Sequence, residues 1–181
     1  HASAAVFCSG FSDCLGLTID GIGDGLSGSI WSFHSGRLER LAALDGRASF
    51  GIFFEHVTNL LNMRELEDEG KVMALSNYAY PVPDHDNPML SLISIDGLKV
   101  RMEYSSSRLY AELKRILWRF PSEQFAYMAQ RVLEVRVAEL IKNALQATGL
   151  TRIAYAGGVA SNVKVNMLLR DGLHEDCVTY A

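Results

Sequence analysis

Apolar residues alternate with polar or small residues over three successive segments near the start of the chain. Leu15, Leu17 and Ile19 alternate in "CLGLTID", and "SIWSFHSGRLERLAAL" (29–44) holds two further alternating runs joined at a Ser-Gly pair. A period of two is typical of strands with one buried face. We therefore predict a three-stranded antiparallel meander, preceded by a helix in "HASAAVFCSGF" that ends at Gly10.

The middle of the chain has the helical period instead. Apolar residues recur every three or four positions in "SFGIFFEHVTNLLNM", where Ser49 is a candidate N-cap, and a second pattern over 64–80 is loosened at Gly70. Two longer helices are predicted further on. Pro121 ends the first of them, and Gly149 follows the second.

Two strand patterns complete the reading. "LISIDGLKVRMEY" predicts a hairpin that turns at Asp96-Gly97. "RIAYA" predicts a strand that runs into Gly157-Gly158, followed by a helix from Ser161 or Asn162 to Gly172. A meander, then helices, then a strand–glycine–helix unit predict a single α/β domain with a mixed sheet and flanking helices over 1–181.

Composition narrows the class of protein. With 49% hydrophobic residues, the 181-residue chain has enough apolar side chains for a core. A net charge of −4 makes a nucleic-acid partner unlikely, because sequence-independent binding needs a basic face. No apolar stretch is long enough to predict a membrane span. The odd number of cysteines, without metal-type spacing, favours a reducing, cytoplasmic compartment.

The first candidate for chemistry is "TIDGIGDGLSG", which holds four glycines and the acids Asp20 and Asp24. Clustered glycines allow backbone amides to converge on an anion. The structural alternative is a hairpin loop whose glycines serve only the turn, and composition leaves the two readings about even.

Two further stretches carry candidate binding residues. In "AYAGGVASN", a strand ends in two glycines before a helix, where the backbone approaches a nucleotide closely; an ordinary tight junction is the more common case. In "LEDEGKVMAL", Lys71 is a candidate to neutralise a phosphate and Glu69 to bind a ribose, although spacing alone favours a solvated charged face. His1, a lone terminal histidine, indicates nothing by itself.

Taken together, four stretches resemble one family, the O-carbamoyltransferases of antibiotic and nodulation-factor biosynthesis (NodU/CmcH type). They are "HASAAVFCSGF", "LTIDGIGDGLSGSIW", "EDEGKVMALSNY" and "AGGVASNVKVN", and they occur in the family's order along nearly the whole chain. "MALSNY" departs from the family pattern, since Ala74 stands where the family has glycine.

The resemblance implies a fold of the ASKHA type (actin-like ATPase, ribonuclease H-like). This chain would be a piece of a longer protein and would form the second ASKHA half only. The resemblance also implies the chemistry. Carbamoyl phosphate and ATP would form a carbamoyl-adenylate in an adenylate-forming domain of the same or another chain. The ASKHA-like domain would then pass the carbamoyl group to a hydroxyl of a small acceptor.

Carried over by position, the resemblance implies nucleotide-binding roles for several residues: Asp20, Gly21, Gly23, Asp24, Lys71, Gly157, Gly158 and Asn162. His1 aligns with one histidine of the family's motif for an iron-like divalent metal, while the other ligands would lie outside this chain. We therefore expect Gly21 and Gly158 to face one cleft, with a metal ion or Lys71 offsetting the two aspartates.

Two alternatives remain at this point. The same fold is compatible with a phosphotransferase that moves the γ-phosphate to a small acceptor. The isolated chain is also compatible with a non-catalytic module that binds nucleotide weakly, because half of the implied cleft is missing from it.

Overall fold

The computed structural model describes residues 1–172 and 176–180. The helices and strands in these residues are, in chain order, α1 (Ala2–Cys8), β1 (Asp13–Gly23), β2 (Leu26–His34), β3 (Arg37–Asp45), α2 (Phe50–Leu60), α3 (Glu69–Leu75), β4 (Ile93–Asp96), β5 (Lys99–Met102), α4 (Ser106–Leu117), α5 (Ser122–Thr148), β6 (Arg152–Ala156), α6 (Val163–Gly172) and β7 (Asp176–Tyr180). Short 3-10 helices occupy Ser76–Tyr78, Asp84–Asp86, Pro88–Leu92 and Gly158–Ser161.

A five-stranded mixed sheet in the order β3-β2-β1-β6-β7 organises the molecule. The first three strands form the predicted antiparallel meander. β6 pairs in parallel with β1, and β7 pairs in parallel with β6. β4 and β5 form a separate hairpin. The α/β class with a mixed sheet, predicted from the order of the elements, is confirmed.

The core lies on one face of this sheet. Leu15, Leu17 and Ile19 of β1 are completely buried there against α2, in the same apolar cluster as residues of α5, as their alternation predicts. On the opposite face, a smaller cluster forms under α1, where Val6 lies directly over Gly16. A side chain at position 16 would force the Val6 side chain or the helix to shift, since a Cβ there would lie 2.7 Å from a Val6 methyl group.

Two predicted boundaries are wrong. The segment 64–68 is not helical: Asp68 accepts a hydrogen bond from the Arg64 amide at 3.0 Å, and α3 begins only at Glu69. In the second hairpin, Asp96 pairs with Lys99, so the turn is Gly97-Leu98 and lies one residue later than predicted. In both cases the sequence predicted the correct type of element, a helix and a hairpin turn, but placed its boundary one or several residues away from where the structure has it.

The glycine-rich segment between the first two strands is also not the loop that the sequence suggests. β1 continues to Gly23, and only Asp24 and Gly25 form the turn, both with positive φ (53° and 77°). This is the backbone of a tight two-residue hairpin turn. In the part of the chain that the structure describes, no helix has the length and apolar character required to cross a membrane.

Candidate functional site

A cleft of about 220 Å³ opens where the parallel strands β1 and β6 end. Its walls come from the ends of these strands and from α2, α3 and α5. The residues that line it include Asp20, Gly21, Gly51, Glu55, Glu69, Met73, Gly158, Val159, Ser161 and Asn162. The carboxyl ends of parallel strands are the usual place for a ligand in α/β folds.

An irregularity in β1 brings Asp20 and Gly21 into this cleft. Ile19 pairs with Gly28, and Gly23 pairs with Leu26, so three residues of β1 stand opposite Ser27 alone. Such a bulge takes residues out of the regular ladder and redirects their side chains. The glycines of this segment therefore shape a bulge and a turn rather than a loop that surrounds a phosphate.

The Asp20 carboxylate joins the two glycine motifs. Its Oδ1 accepts hydrogen bonds from the Gly21 amide at 2.9 Å and from the Gly158 amide at 3.2 Å. Gly21 and Gly158 thus face one cleft, as the sequence analysis expects. The Gly21 amide belongs to the segment that was expected to hold a phosphate, and it is bound to a carboxylate of the protein itself, as is the Gly158 amide.

Ser49 fixes the bulge to the start of α2. Its hydroxyl lies 3.0 Å from the Asp20 carbonyl and 2.8 Å from the Gly21 carbonyl, and its Oγ accepts from the Ile52 amide at 3.1 Å. The predicted N-cap is therefore confirmed, and it also satisfies backbone carbonyls that the bulge removes from the ladder. A Cβ on Gly51 would lie 2.6 Å from the Gly21 nitrogen, so α2 approaches the bulge as closely as a glycine allows.

A buried pair of amides holds the other side of the cleft. Asn162 and Gln130 exchange two hydrogen bonds, of 2.9 and 3.1 Å, and Asn162 Oδ1 also accepts from the Val165 amide at 3.2 Å. Asn162 thereby caps α6 and ties it to α5. Both polar atoms of the Asn162 side chain are hydrogen-bonded within the protein. Asn162 therefore shapes the cleft mainly by fixing the backbone between β6 and α6.

The remaining predicted residues lie outside the cleft lining. Gly23 and Asp24 are at the hairpin end of β1, and the Lys71 ammonium lies 2.7 Å from an Asp68 carboxylate oxygen. Gly157 lies behind the cleft, where its backbone packs against Ile19. The nucleotide-binding roles of these four residues stay predictions, and Lys71 does not offset the charge of Asp20 in this arrangement.

Sequence reasoning missed Glu55, which lines the cleft beside Gly21. Gly51 and Glu55 are four residues apart on α2, so the same helix face presents both; this spacing was the available signal. Burial raises the pKa of the Glu55 carboxyl, and the nearby carboxylates of Glu65, Glu69 and Asp20 raise it further. Among the described lining residues there is no lysine or arginine. An anionic ligand in this cleft would therefore have to bring a cation.

His1 lies at the same end of the cleft. Its Nδ1 is 3.3 Å from Asp20 Oδ2, the carboxylate oxygen that the glycine amides leave free. An imidazole nitrogen and a carboxylate oxygen are suitable donors for a divalent first-row metal. Residues 1–172 and 176–180 contain no group of three or more His, Cys, Asp or Glu side chains that could hold a metal. Metal binding at His1 stays a prediction.

Comparison with known proteins gives consistent results. The family model described as Carbamoyltransferase N-terminus matches residues 1–179. An uncharacterised protein of Methanocaldococcus jannaschii is 33% identical over 87% of this chain, and the nodulation protein NolNO of Sinorhizobium fredii is 31% identical over 97% of it. These matches cover 32% and 27% of the two relatives, so the chain spans about a third of their length.

Among solved structures, component A of the (R)-2-hydroxyglutaryl-CoA dehydratase of Acidaminococcus fermentans superposes with a TM-score of 0.56. The superposition covers 97% of this chain and 57% of that one, at 15% sequence identity. At this identity the likeness concerns the fold alone.

Proposed function

Since the chain belongs to the carbamoyltransferase family, we propose that it forms part of an enzyme that transfers a carbamoyl group to a hydroxyl of a small acceptor. One observation carries the proposal: the family match extends through both glycine motifs, and these motifs meet at Asp20. Carbamoyl phosphate and ATP would supply the group through an adenylate-forming domain, and the reaction would take place in the cytoplasm, where both compounds are available.

The cleft between the two motifs is the proposed site for the carbamoyl-adenylate. Its volume of about 220 Å³ is below the roughly 300–1,000 Å³ of complete small-molecule sites, which fits a surface that forms one side of a larger site. Glu69 lines the cleft and is the candidate to bind the ribose hydroxyls. Gly158 and Val159 would then lie beside the nucleoside, because their bend follows β6 directly.

The acidic lining gives a cation a defined role in this proposal. His1 and Asp20 would hold a divalent ion, and the orientation of Asp20 is already fixed by two amide hydrogen bonds. Such an ion polarises a bound carbonyl and offsets the charge of a phosphate. The hydroxyl oxygen of the acceptor attacks the carbamoyl carbon and gives up its proton to solvent, the bond from that carbon to the phosphate oxygen breaks, and AMP leaves.

Calorimetric titration with an ATP analogue and a divalent ion tests the nucleotide part of the proposal. Replacing Asp20→Ala should weaken binding by about tenfold or more, because it removes the group that joins the motifs and a predicted metal ligand. Asp86→Ala is the matched control, since this carboxylate pairs with His85 and lies outside the cleft lining. Equal affinity in both variants, or no binding by the unaltered protein, would contradict the proposed site.

The product distinguishes carbamoyl transfer from phosphoryl transfer. With carbamoyl phosphate, ATP and an adenylate-forming domain supplied, mass spectrometry of the acceptor should show a carbamate. A phosphorylated acceptor would support the phosphotransferase alternative instead.

A further inference from the structure

We propose that Ser106 and His56 form a second reactive site, a nucleophile–base pair that accepts acyl groups from small apolar esters. Ser106 Oγ lies 2.9 Å from His56 Nε2, which is hydrogen-bonding distance for a hydroxyl and an imidazole. Neither residue lines the cleft described above. The inference is therefore independent of the proposed carbamoyl transfer.

Two helices hold the imidazole in place. His56 lies on α2, and the Tyr110 ring of α4 packs against it edge to face, with ring centroids 5.3 Å apart at an interplanar angle of 88°. The Tyr110 hydroxyl in turn donates a hydrogen bond of 2.8 Å to Asn59 Oδ1, one turn along α2. Ring contact and hydrogen bond together restrict the orientation of the base toward Ser106.

The protonation state of His56 suits a general base. Burial lowers the pKa of its imidazole, while the Glu65 carboxylate and the Ser106 backbone partly oppose this effect. At neutral pH the ring is therefore mostly uncharged. With the proton on Nδ1, the lone pair of Nε2 accepts the hydrogen bond from the Ser106 hydroxyl.

The start of α4 provides donors for a developing negative charge. Ser106 is the first residue of this 12-residue helix, and the N-cap residue Ser105 makes no side-chain hydrogen bond to it. In α2, by contrast, Ser49 occupies the corresponding amide. The amides in the first turn of α4 thus lack a side-chain cap, and in the proposed reaction they would bind the oxyanion of the acyl-transfer intermediate.

A groove beside Ser106 indicates the class of acyl group. It encloses about 530 Å³, within the range of small-molecule sites, and Ser106 forms part of its wall. Apolar side chains contribute most of its exposed surface, from Ile22, Ile52, Met102, Tyr104 and Leu109, and the two charged residues in the lining, Asp45 and Arg47, form an ion pair with each other. A short aliphatic or aromatic acyl chain matches this surface better than a charged one.

The reaction follows from these positions. His56 Nε2 takes the Ser106 hydroxyl proton as Oγ attacks the ester carbonyl carbon. The bond from that carbon to the leaving oxygen breaks, and His56 returns the proton to the alcohol. Water, deprotonated by His56, then hydrolyses the acyl-serine and regenerates the pair.

The test uses p-nitrophenyl butyrate and a fluorophosphonate probe. We expect ester hydrolysis, labelling of Ser106 identified by peptide mass spectrometry, and a rate that rises with pH and reaches half its maximum below pH 6.5, since the His56 pKa is lowered from that value. Ser106→Ala should abolish labelling and hydrolysis, and His56→Gln should reduce both by about 100-fold or more.

Ser122→Ala is the matched control, because Ser122 is also the first residue of a long helix but lies outside the groove. It should retain full labelling and hydrolysis. Far-UV circular dichroism and urea denaturation confirm that each variant is folded. No labelling of the unaltered protein, or labelling of Ser106 that persists in His56→Gln, would overturn the proposal.

Discussion

At the scale of single residues, Gly157 has the least freedom of the residues around the cleft. Its φ is +102°, and a Cβ at this position would lie 2.3 Å from the Ile19 carbonyl oxygen. Two independent costs therefore oppose any side chain: an unfavourable backbone conformation and a contact with backbone that cannot rotate away. This close approach keeps the end of β6 against β1, where Asp20 reaches Gly158.

We expect Gly157→Ala to lower the free energy of unfolding by more than about 3 kcal/mol or to prevent folding. Gly10→Ala separates the two costs, because Gly10 also has positive φ (76°) but no atom lies within 4 Å of its Cβ position. This variant should lose about 1 kcal/mol. Urea denaturation followed by circular dichroism measures both, and equal losses would contradict the clash.

The sequence indicated some residues of the cleft and not others. Glycine content and family resemblance pointed to Asp20, Gly21 and Gly158, because backbone conformations that require glycine leave a recognisable trace in the amino-acid sequence. Glu55 left no such trace: glutamate is ordinary on a helix, and only the packing of α2 onto the bulge turns it toward the cleft. The spacing of Glu55 from Gly51 shows that the two share a helix face, but it does not show which tertiary contact that face makes.

At the scale of elements, the N-terminus of α2 has two roles at once. Ser49 is 2% exposed, and its hydroxyl both caps the helix and meets the carbonyls of the β1 bulge. Helix capping and the shape of the cleft are therefore coupled through one side chain.

Ser49→Ala should reduce the free energy of unfolding by about 2 kcal/mol, because it removes the cap and leaves buried carbonyl groups without their partner. Ser105→Ala, at the N-cap of α4, should cost less than about 0.5 kcal/mol, since that hydroxyl makes no capping hydrogen bond. Thermal or urea unfolding distinguishes the two. A similar loss at both positions would show that the bulge contacts contribute nothing.

Elements with a strong period were predicted correctly. The meander, Ser49 as a cap, and the two long helices separated by Pro121 all follow from spacing and terminating residues. Boundaries set by side-chain contacts were not predicted correctly. At 64–68, for example, the Asp68 carboxylate accepts a hydrogen bond from the Arg64 amide, and the segment is not helical.

At the scale of the whole molecule, Arg131 fastens the long helix α5 to the connection that follows α3. Its guanidinium donates two hydrogen bonds to Asp84, of 2.8 and 2.9 Å, across 47 positions of sequence. These hydrogen bonds lower the pKa of the Asp84 carboxyl from 3.8. Since the folded pKa is the lower one, the pair stabilises the protein above pH 3.8, and this contribution disappears as the pH falls through the lowered pKa.

Asp84→Asn should therefore destabilise the protein at pH 7, and the effect should shrink progressively as the pH falls from 3.8 toward 2. About 0.5–1 kcal/mol is expected at pH 7, because nearly half of the Asp84 side chain is exposed and solvent screens the pair. Asp86→Asn is the control, as that carboxylate pairs with its neighbour His85 rather than with α5. Urea denaturation at both pH values measures the difference; an effect independent of pH would contradict the ion pair.

The central position of β1 has a consequence for synthesis on the ribosome. One side of this strand is paired as soon as β2 emerges, whereas its other side awaits β6, and the contact between Asp20 and Gly158 spans 138 positions. At about 5–20 residues per second, translation of that interval takes roughly 7–28 s. During this time one edge of β1 has no partner strand in the nascent polypeptide, and its free backbone groups can pair with strands of other chains. Chaperone occupancy of that intermediate should therefore end only when β6 has left the exit tunnel.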